Sequence, residues 1–358
     1  MKHDYLIVGR GLAGSTLAYQ LLQGGSTVAI VDEDGPSSSS RVAAGMANPF
    51  TGPRMAKSWK AEILFPYFIP FYKRLEEETR SEFFEERIIF RPFGSVEELN
   101  DWDGRSTRPN YQKFVNVTRD SGRHEGCIHE PHGGIEIQGY VLRVSAYLIA
   151  LQRYFHDRCT LVKDVVDEDQ LEIGPGGIVY KGLEAKRIVF CTGYKAMDSK
   201  LFGWLPLAPV KGEILHLKMN KQFETIYNQS CFIIPAQNGV YKAGSTYDRH
   251  DLSEAPTEKG KNEIRKKLDT LLKANYEIVL HEAGIRPGTV SRRPLMGAHP
   301  VYSNVFAFNG LGTKGVSLVP YYSEQMVRYL EGDNNLDQEV DIKKYYSLYF
   351  NSHFSDNN

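Results

Sequence analysis

The chain has 358 residues, a formal net charge of −1 and four cysteines. Its length admits two domains or one large composite domain, and its near-neutral balance gives no broad electrostatic case for nucleic acid or an anionic membrane. Apolar runs stop at strand length, well short of the roughly 20 residues of a membrane span, and Cys127, Cys159, Cys191 and Cys231 are widely spaced without a CxxC, which argues against structural zinc or a disulfide framework.

Residues 1–4 lead straight into a first apolar run at 5–8, so no secretory signal is expected and a reducing cytoplasm fits best. That run predicts a buried parallel strand. Gly9, Gly11 and Gly14 follow in GxGxxG spacing. Residues 15–22 then place Leu17, Ala18, Leu21 and Leu22 at helical spacing, Gly24-Gly25 stops the helix, and a second strand over 27–31 ends at Asp32 and Glu33. Strand, glycine turn, helix, strand and terminal acid make a βαβ unit for a dinucleotide. Gly9 permits the tight turn, Gly11 lets the backbone near Leu12 and Ala13 approach a pyrophosphate, and Gly14 packs helix on strand. The helix N-terminus offers free N–H groups to phosphate. Asp32 stands where a carboxylate accepts both ribose hydroxyls, which disfavours a 2′-phosphate. The unit therefore predicts an ADP moiety, of NAD or of FAD.

Beyond it, residues 35–50 are small, polar and Gly-rich. Residues 59–86 read as helix, 87–138 as short strands and irregular loops, and 141–155 as an amphipathic helix. Strands are expected at 161–166, 171–173, 177–180 and 188–190, the last ending at Cys191-Thr192-Gly193. Residues 207–247 alternate strand and turn, 259–273 form a charged helix, and a strand at 305–308 leads through a Gly loop at 309–315 into a helix at 316–329. The polar tail, 351–358, is expected to fray. Nucleotide-type features at the start, middle and end predict two interleaved domains: a nucleotide domain from 1–60, 139–206 and 282–350, and a substrate domain from 61–138 and 207–281. The ten histidines show no metal spacing, so no metal is expected, and His299 reads as a turn cap.

Six motifs in order resemble the D-amino-acid oxidase family of FAD enzymes across nearly the whole chain. They are the GxGxxG unit, SSSSRVAAGMANP, IVFCTG, PVKGEIL, AGIRPGTVSRRPLMG and NGLGTKGVSLVPYYSE. The glycine oxidase and monomeric sarcosine oxidase branches, and the oxidase half of the bifunctional tRNA wobble-uridine modification enzyme, share them. The resemblance implies an α/β fold: a GR2-type FAD-binding Rossmann domain interleaved with an antiparallel β-sheet substrate domain. It implies FAD, noncovalent because no cysteine or histidine stands at the usual attachment position. Ser39, Ser40, Arg41, Ala44, Gly45 and Met46 would follow the pyrophosphate and the flavin ring. Val165 would touch adenine, with its register against Val166 open, and Thr192 and Gly193 would close the second nucleotide strand. Gly310, Gly312, Thr313, Lys314, Gly315 and Val316 would face the flavin N1–C2=O edge, with Lys314 stabilising the reduced form.

Arg286 is expected to bind a substrate carboxylate, as a guanidinium fork suits one. Lys242 matches the position of the sarcosine oxidase lysine that assists the reaction with oxygen, although strand alternation leaves open whether it faces the flavin. Phe232 replaces a carboxylate-binding tyrosine, with Tyr241 or Tyr247 as substitutes. Thr313, beside Lys314, replaces a second arginine, and Arg292-Arg293 would add positive charge near the site. The expected function is oxidation of a C–N bond in a small amino acid or secondary amine, with oxygen or another electron acceptor. Two alternatives remain: oxidation of a carboxymethylaminomethyl group on tRNA wobble uridine, for which the charge gives no footprint, and a non-catalytic flavin-binding sensor or assembly factor.

Overall fold

A computed structural model describes residues 2–35, 39–52, 54–124, 126–333 and 335–354. Two sheets organise it. The first has eight strands, with a parallel centre of Leu183–Phe190, Lys2–Val8, Val28–Asp32 and Thr160–Lys163. Val305–Asn309 joins Leu183–Phe190 in parallel, and the antiparallel strands Leu171–Gly174 and Gly177–Tyr180 extend one edge. The central strands are apolar on both sides because both sides are covered. Ile7, Ile30 and Val189 pack under the helices Leu12–Gln23, Val144–Phe155 and Gly315–Leu330, while Leu6, Val8, Ala29 and Val31 pack on Phe202, Leu205 and Ile342.

The second sheet has nine strands and runs Tyr276–Arg286, Val210–Met219, Val240–Gly244, Phe232–Pro235, Ile226–Asn228, Phe84–Pro92, Gly134–Leu142 and Met46–Ala47, with Val115–Thr118 also on Gly134–Leu142. Most of its pairings are antiparallel, so side chains alternate between two different surroundings. Leu215, Leu217, Ile233, Tyr241 and Ala243 pack on Ile264, Leu268 and Leu271 of the helix Glu258–Leu271. The opposite face looks toward the first sheet. Segments 2–32, 160–190 and 295–309 thus build one sheet, and 46–47, 84–142 and 210–286 the other.

Several local expectations change. The helix read at 59–86 spans Ala61–Thr79 and stops at Arg80, which takes the left-handed φ of 48°. Phe84–Pro92 is then a strand, because both the Phe83 and Phe84 N–H groups donate to Glu76 Oε1 and turn the chain out of the helix. Residues 96–106, read as part of a loop-rich region, form a helix capped by Ser95, whose Oγ accepts from Glu98 N at 3.2 Å. The helix read from 141 starts at Val144, since the strand runs to Leu142. The frayed tail is partly helical: Tyr346–Phe354 is one helix, and 355–358 lie outside the described residues.

Candidate active site

A cavity of about 860 Å³ lies between the two sheets, within the range of roughly 300–1,000 Å³ common for ligand sites. At one end the strand Lys2–Val8 runs into the glycine turn. Gly9 has φ +97°, and a Cβ there would meet Cys191 O at 2.7 Å. A Cβ on Gly14 would meet Gly9 O at 1.8 Å, so this glycine lies beneath the cavity and lets the helix seat on the turn. Gly9, Gly11, Leu12 and Ala13 line the cavity. Gly11 provides no side-chain cap to the helix, but Ser40 Oγ accepts from Leu12 N at 3.1 Å. Asp32 accepts from Arg10 N at 2.6 Å and Asp34 N at 2.8 Å, which fixes the carboxylate while leaving lone pairs free. Glu33 lines the cavity and pairs with Lys195 at 2.5 Å. Arg41 does not line it; its guanidinium turns to Asp34 at 2.7 Å.

Val165 and Val166 both line the cavity. Val165 is 67% exposed while Val166 packs into the core, so Val165 offers the open apolar surface. Thr192 and Gly193 also line it, and among the described residues Thr192 Oγ1 is buried without a partner. Asn309, which the sequence did not single out, ties two loops together: its Nδ2 donates to Gly193 O at 2.8 Å and its Oδ1 accepts from Gly310 N at 2.8 Å.

Ser39, Ser40, Ala44, Gly45 and Met46 line the middle of the cavity. A Cβ on Gly45, with φ +78°, would meet Leu142 O at 1.9 Å, so only glycine lets this segment press onto the sheet. Gly312, Thr313, Lys314, Gly315 and Val316 line the wall where the last long helix begins. Gly310 does not; it packs against Thr289 and Leu295. Lys314 Nζ donates to Ser58 Oγ at 2.9 Å. Burial, and then the Arg293 charge, push its pKa down to about 8. Among the described residues no carboxylate pairs with it.

The second sheet supplies the opposite wall. Arg286, at the end of its strand, sits over Gly212, where a Cβ would overlap the guanidinium at 1.9 Å. Its Nη2 donates to Ser245 Oγ at 2.8 Å and its Nη1 to Thr246 O at 3.4 Å. Among the described residues it has no carboxylate partner, and burial lowers its pKa. Gly284, Ile214, Phe232 and Tyr247 lie on the same wall. Tyr241 points the other way: its ring is buried in the core under the helix Glu258–Leu271 and its hydroxyl accepts from Phe223 N at 2.9 Å, so of these two candidates Tyr247 is the one at the cavity. Lys242 opposes His216 and Ile234, on the cavity-facing side, but stops short of the cavity lining; its Nζ donates to Ala43 O at 3.2 Å. Burial lowers its pKa, against the opposing pull of Glu282. Glu282 is itself hydrogen-bonded to His216 at 2.5 Å. Arg292 and Arg293 are off the wall; Arg293 pairs with Glu339 at 3.2 Å and lies over Trp59. His299 Nδ1 accepts from Val301 N and Tyr302 N, in a turn remote from the cavity.

These residues fit a large anionic dinucleotide. The cradle excludes Cβ atoms and, among the described residues, Thr192 Oγ1 is buried without a partner and Lys314 stands at a helix start without a carboxylate. Residues 4–329 match the family "FAD dependent oxidoreductase" (DAO), and the chain belongs to it. It is an enzyme that uses FAD, of the amine and amino-acid oxidase type. A 117-residue stretch is 35% identical to glycine oxidase of Bacillus subtilis (strain 168), covering 31% of each chain. Glycine oxidase of Bacillus licheniformis is 24% identical over 93% of this chain and 94% of its own. The crystal structure of iminodiacetate oxidase from Chelativorans sp. BNC1 has the same fold, with a TM-score of 0.78 at 20% identity over 96% of this chain and 98% of that one. Among the described residues no helix is long and apolar enough to cross a membrane, and no His, Cys, Asp and Glu cluster could hold a metal.

Proposed function

We propose that the protein oxidises a C–N bond in a small amino acid or secondary amine that carries a carboxylate. One observation carries this reading: Arg286 is a half-buried guanidinium facing the cavity with, among the described residues, no carboxylate partner. A cation partly taken out of water without a counter-charge is costly, and a substrate carboxylate would supply it through a charge-assisted fork. FAD, when bound, would supply the redox chemistry as acceptor of the hydride that leaves the carbon next to nitrogen.

The chain's own residues bind and orient. Ser245 and Thr246 hold the guanidinium, Gly212 leaves it room, and Phe232 and Ile214 present apolar surface that excludes water beside the reacting carbon. The amine reacts in its neutral form, and the imine product hydrolyses in water. Asp32 and the Gly9–Gly14 turn would hold the ribose and pyrophosphate of FAD, Val165 its adenine with Thr192 nearby, and Lys314 the N1–C2=O edge of the flavin, where negative charge collects on reduction. Lys242 supports electron transfer to oxygen from its place behind Ala43. FAD held noncovalently by residues 1–60, 139–206 and 282–350, and a cytoplasmic location, complete the proposal.

Purified protein mixed anaerobically with glycine, sarcosine and longer N-substituted glycines tests it. Bleaching of the flavin band near about 450 nm, a cofactor property, is expected with at least one of them. Bleaching by amines lacking a carboxylate, and by none with one, would refute the role of Arg286. Acid precipitation is expected to leave the yellow colour in the supernatant.

A further inference from the structure

One transverse row crosses the cavity-facing side of the second sheet. Asn228 opposes Phe232, Phe232 opposes Gly244, Gly244 opposes Ile214, and Ile214 opposes Glu282. Directly opposed residues on neighbouring strands share a face. Tyr227, adjacent to Asn228, confirms the alternation, because its ring packs on Phe223 and Phe90 in the core on the other side. Asn228, Phe232 and Ile214 all line the cavity. Arg286 lies on the same face, two pleats along its strand from Glu282. The wall therefore has a cation near one end, apolar surface in the middle and an amide at the other end.

The Asn228 amide is half-buried and, among the described residues, its side chain makes no hydrogen bond. Its neighbours Phe232 and Ile226 belong to an apolar cluster. A half-buried amide among such groups keeps donors and acceptors that only a ligand or water can satisfy. Its reach can be gauged from the sheet. The guanidinium sits over Gly212 of the strand Val210–Met219, and Asn228 lies three strands beyond it. At a strand spacing of about 4.8 Å, the two groups are separated laterally by roughly 14 Å, less the reach of the amide side chain. Glycine, with its amine one carbon from its carboxylate, does not span that gap. No cation lies on the row, so a second carboxylate would find no counter-charge there.

We infer that Asn228 is a specificity-determining residue: it hydrogen-bonds the far end of a substrate whose carboxylate sits on Arg286, and that substrate is an N-substituted glycine or amino acid with a neutral polar tail, a hydroxyl or an amide, about five bonds from the carboxyl carbon. This rests on the carboxylate-binding role proposed for Arg286.

Unreactive thioethers separate the two readings, because sulfur in place of the amine nitrogen permits binding without turnover. Holoenzyme is titrated with (methylthio)acetate and with (2-hydroxyethylthio)acetate, and binding is read from perturbation of the flavin absorbance. The hydroxyl-tailed acid is expected to bind about 5- to 10-fold more tightly, the scale of one net hydrogen bond. In Asn228→Leu, branched at the same carbon but without polar atoms, that preference disappears while the affinity for (methylthio)acetate stays the same. Equal affinities in the wild-type protein overturn the inference without needing any variant, as does a preference that survives in both Asn228→Leu and Asn228→Ala. Arg286→Ala reports separately: if both acids bind as well as before, the carboxylate reading fails and the inference with it. If both weaken together while the wild-type affinities are equal, Arg286 stands and Asn228 alone falls.

Discussion

The two sheets build their sides of the cavity by opposite means. The first presents backbone: Gly9 and Gly14 stand where a Cβ would strike carbonyl oxygen, and Asp32 is held by two backbone N–H groups. The second presents side chains, sorted by the pleat, with Arg286, Phe232, Ile214 and Asn228 on one face and Tyr241 on the other. A backbone wall fixes one ligand and tolerates no insertion of atoms. A side-chain wall can change substrate one residue at a time without disturbing the cofactor. Substitutions on the first side should abolish cofactor binding, and those on the second should change kinetics in a protein that stays yellow.

The largest effect is expected from Gly14→Ala. Its methyl would lie 1.8 Å from Gly9 O, a backbone atom that moves only if the turn moves. Overpacking of this kind costs about 3 kcal/mol or more, and the purified protein should contain almost no flavin per chain. A normal flavin content would break the comparison at its firmest point. Next is Arg286→Ala, which should retain FAD yet slow substrate-dependent flavin reduction by roughly 30- to 1000-fold, the loss of a charge-assisted bidentate contact of about 2–4 kcal/mol. Gly212→Ala sharpens that result. Its Cβ would displace the guanidinium, which is the end of a flexible side chain, so the loss should be smaller and fall mainly on KM. Stopped-flow mixing under nitrogen measures both.

Lys242→Met should be milder and should act in the other half-reaction. The ammonium is half-buried at the Ala43 carbonyl, behind the segment that lines the cavity, with Glu282, hydrogen-bonded to His216, as its charged neighbour. Anaerobic reduction should be nearly intact and reoxidation by oxygen about 10- to 100-fold slower, as when one preorganised charge is removed. If only reduction is impaired, Lys242 serves the substrate. If wild-type protein itself reoxidises sluggishly in air, another acceptor is used.

The same contrast explains what could be read from the chain. The glycine turn was legible because its constraints are local: strand, turn, helix and acid fall within residues 5–33 in one order. Arg286 was legible through the Pro-flanked motif around it. Asn228, Gly212 and Asn309 were not, because their roles arise from pairings that no local pattern records. The bond from Lys314 to Ser58 joins residues 256 apart. The facing of Tyr241 and Lys242 needed the strand register, and a one-residue shift exchanges them. The helix Val96–Ser106 carried its signal openly, in Ser95 followed three residues later by Glu98, but its apolar face is almost only Trp102. The strand Phe84–Pro92 was hidden by the aromatic and charged run that continues from the helix before it.

The smallest predicted effect tests where the two sides meet, at Lys314. Without FAD, burial and then Arg293 hold its pKa at about 8, below the ordinary 10.5. The C2 carbonyl at the N1–C2=O edge of FAD, which gains negative charge only on reduction, would accept a hydrogen bond from the charged lysine and raise its pKa toward the ordinary value. Binding then takes up a proton between those two values. Below pH about 8 the lysine is already charged in the free protein, so affinity is flat. Above it, binding must also protonate the lysine, so affinity falls as pH rises, and from pH 7 to pH 9 the FAD Kd should grow roughly 10-fold. Titrating apoprotein with FAD across that range, by quenching of flavin fluorescence, measures it. Lys314→Met should bind more weakly at pH 7 and lose this dependence. Arg293→Ala removes the second cause of the depression, so its break should move to higher pH with little change at pH 7. A wild-type Kd that stays flat through pH 9 would place the N1–C2=O edge of the cofactor away from Lys314. The charge that complements it would then have to come from the substrate, which would move that lysine from the cofactor's side of the comparison to the other.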